Sequence, residues 1–156
     1  AARLQQLRAL AARPDPLLDR LHAGPQTLLH GDAGFQNIAI SADGRQRVWY
    51  DWQLAAVGPP ALDLACYLHP WHYAEAQPPQ PPAAMIEQYL AALARRGRLL
   101  DREHFLRQLD AALLWRWLIQ WAPLLGIYRA RLRPEVQARL YHVFARLHWP
   151  ALERWE

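Results

Sequence analysis

Lysine is absent from this sequence, and all 18 of its Lys and Arg positions are arginine. Any function that requires a lysine side chain must therefore obtain it from elsewhere. A single cysteine, Cys66, excludes an internal disulfide and fits a reducing compartment. No apolar run is long enough to cross a bilayer, and no secretory signal pattern is present. We therefore expect a cytoplasmic protein without a membrane partner.

Size and composition predict one ordinary globular domain. The chain has 156 residues, of which 53% are hydrophobic and 21% are charged, which is enough to bury a real core. Its net charge of +4 would suggest a nucleic-acid partner only if the arginines were clustered. Most are scattered, and the two local groups, at 95–98 and 129–133, lie near predicted helix ends, where cations meet the negative end of the helix dipole. No nucleic-acid partner is expected.

The first half of the chain changes its apolar period near residue 27. Before that point, leucines at helical spacing up to His22, interrupted by Arg13-Pro14-Asp15-Pro16, predict two helical pieces. Three short apolar runs follow, with turn residues between the last two: Thr27–Leu29, Ile38–Ile40 and Val48–Tyr50. These runs predict a small β-hairpin.

The second half of the chain predicts a helical bundle. Prolines within 77–82 predict an exposed connector. Beyond it, apolar residues three and four apart predict helices at 83–96, 101–121 and 134–148. Asp101 suits an N-cap, and Pro134 suits the first position of a helix. The predicted fold class is mostly α with a small β-hairpin.

Three linked motifs carry the chemistry: His30-Gly31-Asp32-Ala33-Gly34-Phe35-Gln36-Asn37, then Asp51-Trp52, then Gly58-Pro59-Pro60-Ala61-Leu62-Asp63-Leu64-Ala65. Asp32, Asn37 and Asp51 stand at the ends of short predicted strands, where a rigid scaffold presents groups to a ligand. Pairing of the hairpin strands would bring Asp51 back beside Asn37. Phosphoryl transfer needs a metal that holds the phosphates and a group that accepts the acceptor's proton. Asn37 and Asp51 suit Mg²⁺ as hard oxygen ligands, and Asp32 suits the base.

The pattern H-G-D-x-x-x-x-N, an apolar strand ending in D-W, and G-P-x-x-x-D-L-A together resemble the aminoglycoside phosphotransferase and choline kinase superfamily, which shares the protein-kinase fold. The resemblance implies that this chain is the C-terminal lobe of a protein-kinase-like fold. It implies Asp32 as the catalytic base, Asn37 and Asp51 as Mg²⁺ ligands in the cofactor site, and His30 as a support of that loop. Asp63 would be structural, because it would open a helix and hydrogen-bond the back of the loop.

The activity that the resemblance implies is transfer of the γ-phosphate of ATP to a hydroxyl of a small molecule, with Mg²⁺ and ATP, or GTP, as cofactors. Kinases of this fold grip ATP with an N-lobe lysine beneath a glycine-containing loop, and this chain supplies neither. We therefore expect the N-terminal lobe in the same or another chain, and an inactive fragment without it. The alternative function is a non-catalytic interaction or scaffold module that keeps the fold.

Under this interpretation residues 1–156 form a single kinase-like C-lobe, with its catalytic and metal-binding core at 28–68 and a helical, substrate-side subdomain at 83–156. From Ala65 onward the chain has 12 arginines and 8 acidic residues, which argues against a polycationic substrate. His69 and His72 have no third metal ligand nearby and are interpreted as surface residues at a helix end. Cys66 is interpreted as a core residue. Five tryptophans suit core packing more than a cage for an ammonium group: Trp115, Trp117, Trp121, Trp149 and Trp155.

Overall fold

The computed structural model describes residues 2–69 and 80–155. The chain divides into two compact units, which we call the terminal unit (Ala1–Gly24 with Asp101–Glu156) and the central unit (Pro25–Leu100). Most of the described chain is helical, with two small antiparallel sheets, which confirms the mostly-α expectation. Among the described residues, no helix has the length and apolar character that a membrane span requires.

The described residues contain four three-residue strands and eight α-helices. The strands are β1 (Thr27–Leu29), β2 (Ile38–Ile40), β3 (Arg47–Trp49) and β4 (Ala56–Gly58). The helices are α1 (Ala2–Ala12), α2 (Asp15–His22), α3 (Ala61–Tyr67), α4 (Pro82–Ala94), α5 (Arg102–Arg116), α6 (Ala122–Tyr128), α7 (Pro134–Val143) and α8 (Trp149–Glu153).

Several helix boundaries follow from local chemistry that the sequence makes visible. α1 ends before the interruption at Pro14, and α2 starts directly after that proline. Asp101 caps α5, because its carboxylate accepts a hydrogen bond from the backbone amide of His104 at 2.6 Å. Pro134 is the first residue of α7. These predictions are confirmed.

The proline-rich connector, predicted at 77–82, lies partly outside the described residues, which resume at residue 80. Its last proline, Pro82, is the first residue of α4. Proline fits there because the first amides of a helix have no partner within the helix. At least this end of the segment is therefore helical and not part of a connector.

α5 and α7 do not continue as regular α-helices to the ends that their apolar patterns predict. Each passes into a π-helical turn, at Trp117–Trp121 and at Phe144–His148. A proline stands two residues after each turn, Pro123 in α6 and Pro150 in α8. A proline inside a helix lacks an amide, and its ring crowds the carbonyl four residues earlier, which here lies within the π-helical turn. The wider turn accommodates the ring, so the helical path continues past both prolines.

Aromatic side chains from these two turns build a core of the terminal unit. Trp121 and Phe144 form a buried cluster with Leu140, and Trp117 and Trp149 pack against it. The Phe144 ring centroid lies 6.0 Å from that of Trp121 and 6.1 Å from that of Trp149, in tilted or edge-on contacts that aromatic rings prefer. These three tryptophans therefore serve packing, as the sequence favoured.

The central unit pairs its strands in two antiparallel ladders. β2 and β3 form the predicted hairpin, with Ile38 opposite Trp49. β1 pairs with β4, with Leu28 opposite Val57. The sequence did not predict β4, because Ala56-Val57-Gly58 is too short to show an alternating pattern and contains a single β-branched residue.

His148, a buried residue of the second π-helical turn, should make the stability of the chain sensitive to acid. Burial, and then the positive charge of Arg116, lower the pKa of His148 from its ordinary 6.5 to about 3. As the pH falls below 6.5, His148 becomes protonated in the unfolded chain but stays neutral in the folded chain. The free energy of unfolding therefore keeps the full contribution of neutral His148 above pH 6.5 and loses it progressively toward pH 3. The loss from this one group should be about 1.4 kcal/mol per pH unit within that window.

Urea unfolding at several pH values between about 7.5 and 4.5 measures this loss. His148→Gln should flatten the pH dependence, whereas His142→Gln, at an exposed position of α7, should retain it. An equally steep dependence in wild type and His148→Gln would show that another group controls it.

Candidate active site

The loop after β1 turns sharply at Gly31. This residue has φ of +84°, in the left-handed region that favours glycine. A Cβ atom added here would overlap the carbonyl oxygen of Leu54 and lie 2.8 Å from the Leu54 Cβ. Backbone conformation and available space therefore both require glycine, and this turn leads the chain from β1 into Asp32.

Asp63 holds the back of this loop. Its carboxylate accepts hydrogen bonds from the backbone amides of His30 at 2.7 Å and of Gly31 at 3.0 Å. Asp63 lies in the first turn of α3, but no side chain caps that helix, so the carboxylate is directed to the loop. The residue is half-buried, and it also borders a cavity.

His30 connects the loop to the end of β3. Its Nε2 lies 2.8 Å from the carbonyl oxygen of Tyr50, and since a carbonyl can only accept, Nε2 carries the proton. Its ring lies 5.3 Å from that of Trp49 and 4.6 Å from that of Trp52, measured between centroids. The side chain is 3% exposed, and its Nδ1 has no hydrogen-bond partner among the described residues. The His30 side chain is therefore directed into the protein, where it supports the backbone just before Asp51.

Asp32 and Asn37 are in direct contact. The Asn37 Nδ2 donates to the Asp32 backbone carbonyl at 2.8 Å and to the Asp32 Oδ2 at 3.0 Å. Asn37 is 5% exposed, while Asp32 is half-buried. The second oxygen, Asp32 Oδ1, lies 3.7 Å from the thiol of Cys66. The amide and the thiol together set the orientation of the Asp32 carboxylate.

Asp51 stands next to this pair through the backbone. The hairpin register extends by one hydrogen bond, from the Tyr50 amide to the Asn37 carbonyl at 3.1 Å, and Asp51 follows Tyr50. Among the described non-glycine residues, Asp51 is the one with positive φ, at 65°, a conformation that is uncommon and that clusters at functional sites. Its side chain is exposed and makes no hydrogen bond or ion pair with described residues. The structure shows no direct contact of Asp51 with the side chains of Asn37 or Asp32.

The histidines that the structure describes do not form a metal centre. Within 2–69 and 80–155, no group of three His, Cys, Asp or Glu side chains gathers as a metal site. His69 is 2% exposed, so its interpretation as a surface residue is wrong, because it follows α3 into the core of the central unit. His72 lies outside the described residues. The oxygen ligands to consider are Asp32 and Asn37 on the loop and Asp51 after β3.

Two contacts of this site were not predicted. The hydrogen bond from His30 to the Tyr50 carbonyl joins the loop after β1 to the end of β3, and no local sequence pattern predicts this contact. Cys66 was interpreted as a core residue and is fully buried, but its thiol also contacts Asp32. The signal was its position three residues after Asp63, which places both side chains on one side of α3.

The site therefore combines a carboxylate and an amide on one anchored loop with a second, exposed carboxylate after β3, all presented by a mostly helical scaffold. A family model described as the phosphotransferase enzyme family matches residues 1–100, and therefore includes the loop, Asp51 and Asp63. The chain belongs to this phosphotransferase family. No curated protein and no solved structure matches it.

Removal of the Asp63 carboxylate should destabilise the chain. Asp63→Ala would leave the backbone amides of His30 and Gly31 without their acceptor, which costs about 1 to 3 kcal/mol of unfolding free energy. Asp51→Ala is the matched control, because the Asp51 carboxylate has no such partner among the described residues. Thermal unfolding in metal-free buffer compares the variants. A destabilised Asp51→Ala beside an unaffected Asp63→Ala would reverse the two roles.

The chain offers a direct test of the close approach at Gly31. Gly31 and Gly44 both have positive φ, +84° and +71°, but a Cβ at Gly44 would meet nothing within 4 Å. Ala at either position incurs the left-handed penalty, and Gly31→Ala adds overlap with Leu54. We expect Gly31→Ala to lose about 1 to 3 kcal/mol more than Gly44→Ala in urea unfolding. Equal losses of unfolding free energy in the two variants would mean that the loop can shift away from Leu54 with no loss of stability.

Proposed function

We propose that this chain forms the catalytic lobe of an ATP-dependent phosphotransferase that acts on a hydroxyl group of a small molecule. The main support is the hydrogen bond of 3.0 Å between Asn37 Nδ2 and Asp32 Oδ2. It joins the two residues that begin and end the loop, and it orients one carboxylate beside one amide. Membership of the phosphotransferase family, matched over residues 1–100, supports the reaction type.

Asp32 is the proposed base. Its Oδ2 accepts from Asn37, while its Oδ1 has only the weak thiol donor of Cys66 at 3.7 Å. A carboxylate has about four lone-pair positions, so Asp32 retains room to accept a proton from an acceptor hydroxyl. Its half-buried position lets a substrate approach while the amide keeps the carboxylate from rotating. Orientation and proton acceptance are the contributions that phosphoryl transfer needs from such a residue.

Asn37 and Asp51 are the proposed ligands of Mg²⁺. The Asn37 Nδ2 donates to Asp32. The Asn37 Oδ1 accepts no hydrogen bond from a described residue, so this oxygen is available to a metal ion. The Asp51 carboxylate is likewise without such a partner and is exposed. An amide oxygen and a carboxylate are the hard ligands that Mg²⁺ prefers, so the residues present suit this ion. Bound there, the ion would hold the phosphates of the nucleotide and offset their charge.

His30 is proposed as a positioning residue of the cofactor site. Its buried ring donates to the Tyr50 carbonyl, and the next residue is Asp51. Rotation of the peptide after Tyr50 would displace Asp51, so the role proposed for the His30 bond is to fix the backbone from which Asp51 projects.

The remaining groups that grip a nucleotide are proposed to come from an N-terminal lobe, in the same or another chain, since kinases of this kind use a lysine there and this sequence has none. The whole assembly would then be a protein-kinase-like fold with this chain as its C-terminal lobe, using ATP or GTP. The excess of arginine over acidic residues after Ala65 favours an acceptor that is neutral, anionic or singly charged.

Kinetics of the enzyme that contains this chain test the two roles separately. Asp32→Asn should lower kcat about a hundredfold or more, because the amide cannot accept the proton, with little change in the KM for nucleotide. Asp51→Asn should raise the Mg²⁺ concentration needed for half-maximal rate as well as lowering kcat. Asp43→Asn, at an exposed carboxylate in the hairpin turn, is the control and should behave as wild type. An Asp32→Asn enzyme with undiminished kcat would eliminate Asp32 as the base.

A further inference from the structure

The central unit contains a cavity of about 670 Å³ beside the loop but apart from the proposed catalytic groups. This volume is within the usual range for small-molecule sites, about 300 to 1,000 Å³. Asp32, Asn37 and Asp51 do not line the cavity, whereas the supporting residues His30 and Asp63 do. β1, the residues around the loop, α3 and α4 contribute its walls, so the cavity adjoins the side of the loop that Asp63 anchors.

Aromatic side chains make up a large part of the walls: Trp49, Trp52, Tyr67 and Tyr89. Trp49 and Trp52 are 37% and 45% exposed, so part of each ring surface is accessible to a ligand. The apolar side chains of Leu28 and Met85 also line the space. A ligand with an apolar body would cover this surface.

The charge of the lining has one sign. Among the described residues that line the cavity, Asp63 is the one with a formal charge, and none is an arginine. The Asp63 carboxylate accepts two backbone hydrogen bonds and keeps further lone pairs. Burial, and then the negative charge of Asp63, raise the pKa of Tyr89, so two residues of the lining interact electrostatically.

We propose that this cavity binds a small organic cation, a single protonated amine attached to an apolar body. The faces of aromatic rings attract a cation, more strongly when water is displaced. The Asp63 carboxylate adds attraction for the same charge and repels anions. The apolar remainder of the ligand would replace water over Trp49, Trp52 and Leu28. The test of this proposal does not depend on phosphotransfer, because it measures binding and needs no turnover.

Benzylammonium, benzyl alcohol and benzoate probe the charge preference with nearly the same shape. Met85 is the single methionine of the sequence and lines the cavity, so one methyl resonance in a methionine-labelled sample reports on the site. Benzylammonium should shift this resonance saturably, with an affinity about tenfold or more above that of benzyl alcohol. Benzoate should give no saturable shift.

Two arginine substitutions at exposed strand positions locate the site. Leu28→Arg places a cation at the lining and should weaken benzylammonium binding about tenfold. Val48→Arg is the matched control, because Val48 is also exposed but does not line the cavity and points to the opposite face of β3 from Trp49. It should bind as wild type does. Equal affinity for benzyl alcohol, equal losses in the two arginine variants, or no saturable shift would each overturn the proposal.

Discussion

The central unit depends on one carboxylate that serves two backbone amides. Asp63 accepts hydrogen bonds from the backbone amides of His30 and Gly31 and so holds the turn at Gly31. Only glycine fits this turn, because a Cβ atom would overlap Leu54. Loop amides that lie partly away from water need acceptors, and a carboxylate forms stronger bonds with them than a neutral group does. The orientation of Asp32 and its contact with Asn37 both depend on this anchored turn.

From that anchor, polar contacts extend outward to the exposed Asp51. Asn37 binds Asp32 through its nitrogen, and its backbone carbonyl receives the amide of Tyr50. His30 returns to the Tyr50 carbonyl from the other direction. The loop and the hairpin therefore fix each other, while the Asp51 carboxylate stays free of described partners. The residues that give rigid support are therefore different from the carboxylate that stays exposed.

Local patterns predicted the parts of this site that local physics controls. Turn residues between Ile40 and Val48 predicted the hairpin, and antiparallel pairing then placed the end of β3 beside Asn37. The N-cap at Asp101 and the first-turn proline at Pro134 followed from the needs of helix ends. The strand β4 and the two π-helical turns did not follow, because each depends on a second element: a partner strand for Ala56–Gly58, and a continuing helix beyond Pro123 and Pro150.

By itself, the sequence determined the mostly helical composition, the hairpin, and the order of motifs typical of a phosphotransferase, since these depend on residue spacing along the chain. Only the tertiary structure decided what Asp63 and Cys66 contact, that His69 is buried, and that four aromatic rings border a cavity with a single carboxylate. The reason is geometric. Contacts between residues some thirty positions apart, such as Asp63 with His30 or Cys66 with Asp32, leave no periodic trace in the chain, because packing and not spacing brings them together.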